Sequence, residues 1–297
     1  AAPIFALFST LALCFIALRT LILVAIPFFQ GNAKASRAPE NLFFRTQLGH
    51  YAAALVFSNV FISLSGLVEF RWVAESGITT GMSLHPSVLM EIGNVSTAYF
   101  TVAMAIHTCN SLVLRIRQTS WLSPVVIAIG WITSFAFGLA PLKKQGLSTI
   151  YGPQGISCGV TSSHPALVFV FDALPILLGA LFSVTLYSLI FLVLRGTLQI
   201  KGSIKFTLNP EERWSSVSNF EEYDRFIGAI ARSLLWYPFA FITLLLPYSI
   251  ASLAAVSGYN VPFGADVFAH VCCFLLGFAN VVLLYNIFRV LNPVYHG

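Results

Sequence analysis

Charged residues are scarce in this 297-residue chain: they make up 9% of it, while hydrophobic residues make up 57%. A soluble protein carries about 25% charged residues. At this length, so few charges cannot cover a surface that faces water, and the mean hydropathy of +0.83 agrees. The composition therefore excludes an ordinary soluble enzyme and indicates a protein that lies within a lipid bilayer.

Seven apolar stretches are long enough to cross a hydrocarbon core, which takes about 20 residues of α-helix. They cover approximately residues 3–29, 49–68, 88–114, 121–142, 166–194, 227–254 and 267–290. Barrel strands would alternate polar and apolar residues over about 10 positions. These runs do not alternate, so the backbone pairing that lipid requires must be helical. We expect one all-α domain, residues 1–297, folded as a seven-transmembrane helical bundle.

The lysines and arginines predict the orientation of the bundle, because cytoplasmic loops carry an excess of them. One set of linkers holds Lys34, Arg37, Arg45, Arg115, Arg117, Arg195, Lys201, Lys205, Arg213 and Arg225. The opposite set holds Arg71, Lys143 and Lys144. The N-terminus is therefore expected outside and the C-terminus in the cytoplasm. The net charge of +5 is then a sign of orientation and not of nucleic-acid binding.

The third inner loop, 195–225, is the longest polar stretch of the chain. It mixes its basic residues with an acidic group: Glu211, Glu212, Glu221, Glu222 and Asp224. A segment with so few apolar residues cannot bury enough surface to order itself. We expect it to be solvated and partly disordered.

Ionisable side chains within the spans are costly to insert, so each needs a partner or a function. Glu91 and Asn94 share one stripe of span three, and Asp266 and His270 share one face of span seven. We expect the polar residues of the outer half to line a pocket open to the outside. The candidates are Glu91, Asn94, Tyr99, Asp172, Tyr248, Asp266 and His270. Tyr99 lies off the stripe and is the weaker candidate. Interhelical hydrogen bonding without a ligand is the alternative.

Several catalytic and cofactor motifs are missing from the sequence. No lysine follows Lys205, so span seven cannot form a retinal Schiff base, and no phosphate-binding glycine loop is present. The segment 155–159 has the Gly-x-Ser-x-Gly spacing around Ser157, but that elbow requires a strand, a turn and a helix of an α/β sheet. We interpret it as a chance match. We therefore predict no catalytic residue, no metal site and no cofactor.

Short motifs in several spans resemble the G-protein-coupled receptor superfamily. They are Trp131 with Pro141 in span four, Pro175 in span five, Phe241 six positions before Pro247 in span six, and Asn59 at the place of the second-helix acid. The second outer loop, 151–158, reads Tyr-Gly-Pro-Gln-Gly-Ile-Ser-Cys. It is similar to the loop of cAMP-receptor-like receptors, a branch that includes fungal nutrient-sensing receptors.

The resemblance implies a multi-pass receptor of the plasma membrane. An extracellular small-molecule or peptide ligand would shift span six about Pro247 and open a cytoplasmic cleft for a heterotrimeric G protein. The implied switch residues are Phe241, Pro247, Asn59, Asn280 and Tyr285. The implied G-protein contacts are Arg115, Arg117, Glu222, Asp224 and Arg225. In the resting state, Glu222 or Asp224 would pair with Arg115 or Arg117.

The chain departs from the family pattern in three places. The family's second-loop cysteine bridges a cysteine at the outer end of span three, where this chain has none, so Cys158 is either unpaired or bonded to Cys272 or Cys273. Residues 114–117 read Leu-Arg-Ile-Arg in place of Asp/Glu-Arg-Tyr. Residues 292–295 read Asn-Pro-Val-Tyr, beyond span seven, in place of Asn-Pro-x-x-Tyr.

Two other classes of membrane protein stay open. An intramembrane zinc hydrolase needs about three histidines and a carboxylate around the metal, and His50, His107 and His270 fall at different predicted depths. A small-solute transporter should have discontinuous helices in two related halves. The sequence has no such pairing.

Overall fold

The computed structural model describes residues 2–30, 43–70, 84–114, 116, 118–143, 150–154, 157–161, 164–195, 198–201, 203–206, 233 and 235–296. Six helices are α1 (Ala2–Gln30), α2 (Gln47–Val68), α3 (Leu84–Leu112), α4 (Leu122–Leu139), α6 (Trp236–Val256) and α7 (Phe263–His296). The remaining helix, α5, consists of Pro165–Leu167, a π-helical turn Val168–Ala173, and Leu174–Leu194. In the described part of the chain, seven helices are long and apolar enough to cross a membrane. The predicted seven-helix membrane fold is confirmed.

Within the described ranges, two β-hairpins accompany the helices. Strands β1 (Tyr151–Gln154) and β2 (Ser157–Val160) pair antiparallel between α4 and α5. Strands β3 (Leu198–Lys201) and β4 (Ser203–Phe206) pair after α5, where we expected a partly disordered loop. The segments Leu-Gln-Ile and Ile-Lys-Phe alternate apolar and polar residues around a glycine, which is a strand pattern that overall composition does not reveal. The rest of that loop, 207–225, lies outside the described residues.

The seven helices run alternately up and down, which gives the bundle two distinct ends. We call the end that holds the N-terminus the amino end. It also contains the last residues of α2, α4 and α6, the β1–β2 hairpin, and the first residues of α3, α5 and α7. The opposite end, the carboxy end, contains the β3–β4 hairpin and the C-terminus.

Helix α4 shows how the bundle reverses the distribution of a soluble protein. The residues that it buries are small: Ser123, Gly130, Ser134 and Gly138. Its large apolar side chains face outward, and Ile132 is 69% exposed. A Cβ added to Gly138 would lie 2.5 Å from Cγ1 of Ile92, so the glycine allows α3 and α4 to approach closely. Small residues at the contact and large ones outside are typical of helices packed in lipid.

A glycine turn joins α6 to α7. Gly258 has φ of 83°, and its N–H donates to Ala255 O at 3.2 Å. The Tyr259 N–H donates to Ala254 O at 3.0 Å. This pair of bonds is a Schellman motif, in which a left-handed residue satisfies the last helical carbonyls. The turn sends the chain directly into α7, whose first two turns carry Asp266 and His270.

Candidate functional site

Buried polar side chains gather in the amino half of the bundle. They come from four helices, from the end of α2 and from the β1–β2 hairpin: Glu69, Glu91, Asn94, Ser157, Asp172, Tyr248 and His270, each at most 5% exposed. An apolar layer that includes Phe241, Leu245 and Phe274 lies beneath them. Polar groups this deeply buried must find partners or pay for desolvation, so their contacts decide what the site can do.

Three of these residues form what we call the acidic cluster: Glu91, Asn94 and Asp172. Asn94 Nδ2 donates to Asp172 Oδ1 across a 3.5 Å gap between α3 and α5. Asp172 also acts electrostatically on Glu91, one helical turn before Asn94. From α6, the hydroxyls of Tyr248 and Ser252 approach the Asp172 carboxylate. The sequence predicted Glu91, Asn94, Asp172 and Tyr248 to share a pocket, and the structure brings them together.

The π-helical turn of α5 places Asp172 in this cluster. Pro175 has no N–H to donate to the carbonyl of Phe171, and its ring crowds that carbonyl. The helix widens just before the proline, and the Leu174 N–H donates to Phe169 O, five residues back. Asp172 is consequently buried against α3 and α6, with 4% of it exposed. Such π-helical turns are frequent at functional sites.

A second group, which we call the hairpin latch, consists of Ser157, Asp266 and His270. His270 Nε2 lies 2.6 Å from the Ser157 hydroxyl of β2. His270 Nδ1 lies 2.9 Å from the Asp266 carbonyl and 3.2 Å from Asp266 Oδ1. The Tyr151 hydroxyl donates to Gly138 O at 2.8 Å. The hairpin is thus fastened to α7 by Ser157 and to α4 by Tyr151.

The order Ser157, His270, Asp266 is also that of a hydrolytic triad. The nucleophile of such a triad must meet a substrate carbonyl, yet Ser157 is 5% exposed and His270 4%. Ser157 also lies on a β-hairpin in a helical bundle, not on the strand-turn-helix elbow that its glycine spacing would need. The contact is therefore a buried link between a loop and a helix.

Glu69 is a site residue that sequence reasoning missed. It lies directly after α2, is 5% exposed, and is close enough to His270 and Asp266 to interact with them electrostatically. Burial raises the pKa of Glu69 to about 8, with His270 opposing the shift and Asp266 adding to it. The available signal was an acid placed immediately after an apolar span, on the side of the predicted pocket.

Two predicted residues point elsewhere. Tyr99 donates its hydroxyl to Val126 O at 3.1 Å, so this candidate for the ligand pocket faces α4. Tyr285, a candidate switch residue, is 52% exposed, and the Arg19 guanidinium lies 5.6 Å from the centre of its ring. Tyr285 therefore lies on the outer surface of the bundle in this structure.

The remaining switch candidates lie inside the bundle. Phe241, Asn59 and Asn280 are each at most 2% exposed, and Pro247 interrupts α6. Asn59 Nδ2 donates to Leu55 O at 2.7 Å. The candidate G-protein contacts fall outside the residues whose side chains the structure describes: Arg115, Arg117, Glu222, Asp224 and Arg225.

The three histidines considered for a zinc site do not meet: His50 and His107 lie in the carboxy half of the bundle and His270 in the amino half. His50 Nδ1 is paired with the Ser123 hydroxyl at 3.0 Å, and His107 Nδ1 with Gln118 Oε1 at 2.7 Å, far along the chain from the latch that holds His270. Within the described ranges, no three His, Cys, Asp or Glu side chains are grouped to hold a metal ion. None of the five cysteines, all within the described residues, forms a disulfide, so Cys158 is not bonded to Cys272 or Cys273.

The fold is similar to that of squid rhodopsin. The superposition has a TM-score of 0.61 at 14% sequence identity and covers 98% of this chain and 83% of the other. At this identity the similarity shows the fold alone. No family model and no curated protein sequence matches the chain. The chain is a multi-pass membrane protein with a rhodopsin-like seven-helix fold.

Proposed function

We propose that this chain is a G-protein-coupled receptor of the plasma membrane, of the cAMP-receptor-like branch that includes fungal nutrient-sensing receptors. The amino end would face outward and bind a ligand, and the carboxy end would contact a G protein. One observation carries the proposal. In a rhodopsin-like fold, α3, α5, α6 and α7 all direct buried polar side chains to one region beneath the β1–β2 hairpin.

The contacts of α6 suggest how a ligand would act. Tyr248 and Ser252 approach Asp172, and Tyr248 stacks edge-on against His270 with ring centres 5.2 Å apart. Tyr248 directly follows Pro247, so a ligand that changes the contacts of Tyr248 would also shift the helix backbone at the proline. A ligand that binds one arrangement of α6 better than another shifts the population toward it.

Pro247 supplies the hinge for this movement. It lacks the N–H that would bond to the Thr243 carbonyl, which weakens the helix at that point. Below the hinge, Phe241 packs against Gly179 of α5, where an added Cβ would lie 3.3 Å from the ring. An open groove of about 680 Å³ lies between α5 and α6 in the carboxy half. The part of α6 that precedes Pro247 lies at the carboxy end of the bundle. It therefore has both a flexible point, at the proline, and space in which to move.

Nucleotide exchange on G-protein α-subunits tests the proposal. Purified receptor in lipid nanodiscs is mixed with a panel of α-subunits, and GTP binding is followed without added ligand. We expect at least one α-subunit to exchange faster with receptor than with empty nanodiscs. Pro247→Ala should reduce this basal rate several-fold, because the hinge is lost. Pro262→Ala, a matched change in the exposed α6–α7 turn, should not.

Two results would contradict the proposal. If no α-subunit exchanges nucleotide faster with the receptor, the proposed receptor function is contradicted. Equal rates for Pro247→Ala and the wild type would contradict the role of Pro247 as a hinge.

We also propose that Glu222 or Asp224 pairs with Arg115 or Arg117 in the resting state. Reversing the charge of either partner should raise the basal exchange rate, and reversing both charges should restore it.

A further inference from the structure

Three acceptor oxygens of the acidic cluster have no hydrogen-bond partner among the described residues: Glu91 Oε1, Asn94 Oδ1 and Asp172 Oδ2. Their residues are 4%, 1% and 4% exposed. A buried acceptor without a donor keeps the full cost of its desolvation, and a charged one costs more. Three of them in one cluster can be satisfied by a hydrogen-bond donor or a positive charge from outside the chain.

The amide of Asn94 fixes the chemistry that is missing. Its Nδ2 faces Asp172 Oδ1 at 3.5 Å, and the opposite amide orientation would place two oxygens against each other. The amide carbonyl is therefore the atom left over, and it is an acceptor like the two carboxylate oxygens. Glu91 and Asn94 are three residues apart on α3, so their side chains lie on the same helical face. The Tyr248 and Ser252 hydroxyls approach the Asp172 carboxylate, yet these three oxygens have no donor within hydrogen-bond distance, so the cluster can accept further hydrogen bonds.

The described side chains around the cluster include further acids. Glu69 and Asp266 are further acids in the amino half, whereas Arg45, Arg195 and Arg289 lie at the carboxy end. Among the side chains that the structure describes, no lysine or arginine lies in the amino half beside the cluster. His270 acts electrostatically on Asp172, but both of its ring nitrogens are engaged in the hairpin latch. The described side chains around the cluster therefore offer an anionic ligand no lysine or arginine as a partner.

We propose that the acidic cluster binds the ammonium group of a small organic cation, with Glu91 Oε1, Asn94 Oδ1 and Asp172 Oδ2 as its acceptors. A primary ammonium carries three N–H donors, one for each oxygen. Two carboxylates compensate its charge where solvent cannot screen it. This inference rests on the proposed receptor function and gives the chemical class of its ligand.

The test uses purified full-length protein in nanodiscs and simple probes. Methylammonium, ethylammonium and propylammonium chloride are titrated by calorimetry and by the midpoint of thermal unfolding. Methanol, ethanol, 1-propanol and sodium chloride alone serve as the matched neutral and inorganic probes. We expect saturable binding and a raised unfolding midpoint for the ammonium ions, and neither for the alcohols or for sodium.

Variants locate the binding. Asp172→Asn and Glu91→Gln should each weaken ammonium binding about tenfold to a hundredfold, the loss of one charge-assisted hydrogen bond. Without ligand, Asp172→Asn should unfold at a higher temperature than the wild type, because it removes a charge that is buried next to a second acid, Glu91. Glu211→Gln is the matched control: it makes the same acid-to-amide change in the predicted third inner loop, 195–225, on the opposite side of the predicted membrane from the acidic cluster, so it should leave the ammonium affinity unchanged.

Three outcomes would overturn the inference. Equal stabilisation by alcohols would indicate a ligand with hydroxyl donors. A saturable response to sodium that ammonium ions do not share would indicate an alkali-ion site. Unchanged ammonium affinity in both Asp172→Asn and Glu91→Gln would place the binding elsewhere. None of these outcomes affects basal nucleotide exchange, so the ligand class and the receptor function fail independently.

Discussion

At the scale of single residues, Glu69 makes the stability of the protein depend on pH. Its carboxyl ionises at an ordinary pKa of 4.5 in the unfolded chain but at about 8 when buried beside Asp266 and His270. The folded protein therefore holds a proton that the unfolded chain releases. Stability from this residue is complete below pH 4.5 and decreases as the pH rises through 8.

We predict that the midpoint of thermal unfolding in detergent decreases between pH 5 and pH 9. Glu69→Gln should remove much of this decrease, because glutamine keeps the size of the side chain and stays neutral. The variant should exceed the wild type by several degrees at pH 9 and differ little at pH 5. Parallel curves for the two proteins across this range would show that Glu69 does not carry the effect.

The residues of the site were predictable to the extent that lipid makes charge costly. Glu91, Asp172 and His270 were found because an ionisable group within an apolar span needs a reason. Tyr99 was placed by helical periodicity, which gives the face of a helix but not the neighbour that the face meets. The motif around Ser157 was interpreted as a chance match because it lacks the α/β context of a nucleophile elbow, and its contact with His270 joins residues that are 113 apart in sequence. Sequence spacing carries no information about such a pair.

At the scale of elements, the π-helical turn of α5 determines where Asp172 points. The prediction from sequence was a regular helix across this span, with Pro175 as a family feature. The proline replaces an i→i−4 bond and leaves one extra residue in the preceding turn. An extra residue rotates everything before it by about 100° around the helix axis. Hydropathy cannot reveal this, since the turn is as apolar as its surroundings.

We predict that Pro175→Ala restores a regular α-helix through residues 168–175. The new N–H at position 175 can donate to the Phe171 carbonyl, so the π-helical turn loses its cause. A structure of the variant, determined by cryo-electron microscopy, should show Asp172 turned away from Asn94. Ammonium affinity should decrease about as much as in Asp172→Asn.

The matched control is Pro165→Ala. Pro165 occupies the first position of α5, where the backbone N–H has no helical partner in any case. This variant should keep the π-helical turn, the contact between Asn94 and Asp172, and the ammonium affinity. A π-helical turn that persists in Pro175→Ala would mean that tertiary packing, and not the proline, forms it.

At the scale of the whole molecule, the fold was predictable because the bilayer leaves few choices. Long apolar runs with paired backbones must be helices, and the count of seven was correct. The structure adds what composition cannot give: which faces meet. Gly138 against Ile92, for example, brings α3 and α4 together, while Ile132 of α4 faces the outside of the bundle. The outward amino end remains a prediction from the distribution of lysine and arginine.

The two ends of the molecule would be coupled through α6. The part of α6 after Pro247 lies at the amino end of the bundle and contacts Asp172 and His270 through Tyr248. The part before Pro247 lies at the carboxy end and borders the groove beside α5. Pro247 lies between the two halves. The proposed receptor function therefore depends on movement of the part of α6 before Pro247 away from α3.

That movement can be measured by pulsed electron paramagnetic resonance between spin labels at Leu114 and Trp236, which are 50% and 55% exposed at the carboxy end. Cys14, the one exposed native cysteine, is first replaced by serine. In nanodiscs with a nucleotide-free α-subunit that responds to the receptor, we expect a second, longer distance to become populated. Pro247→Ala should suppress it. A single distance that neither the α-subunit nor Pro247→Ala changes would contradict a receptor that acts through α6.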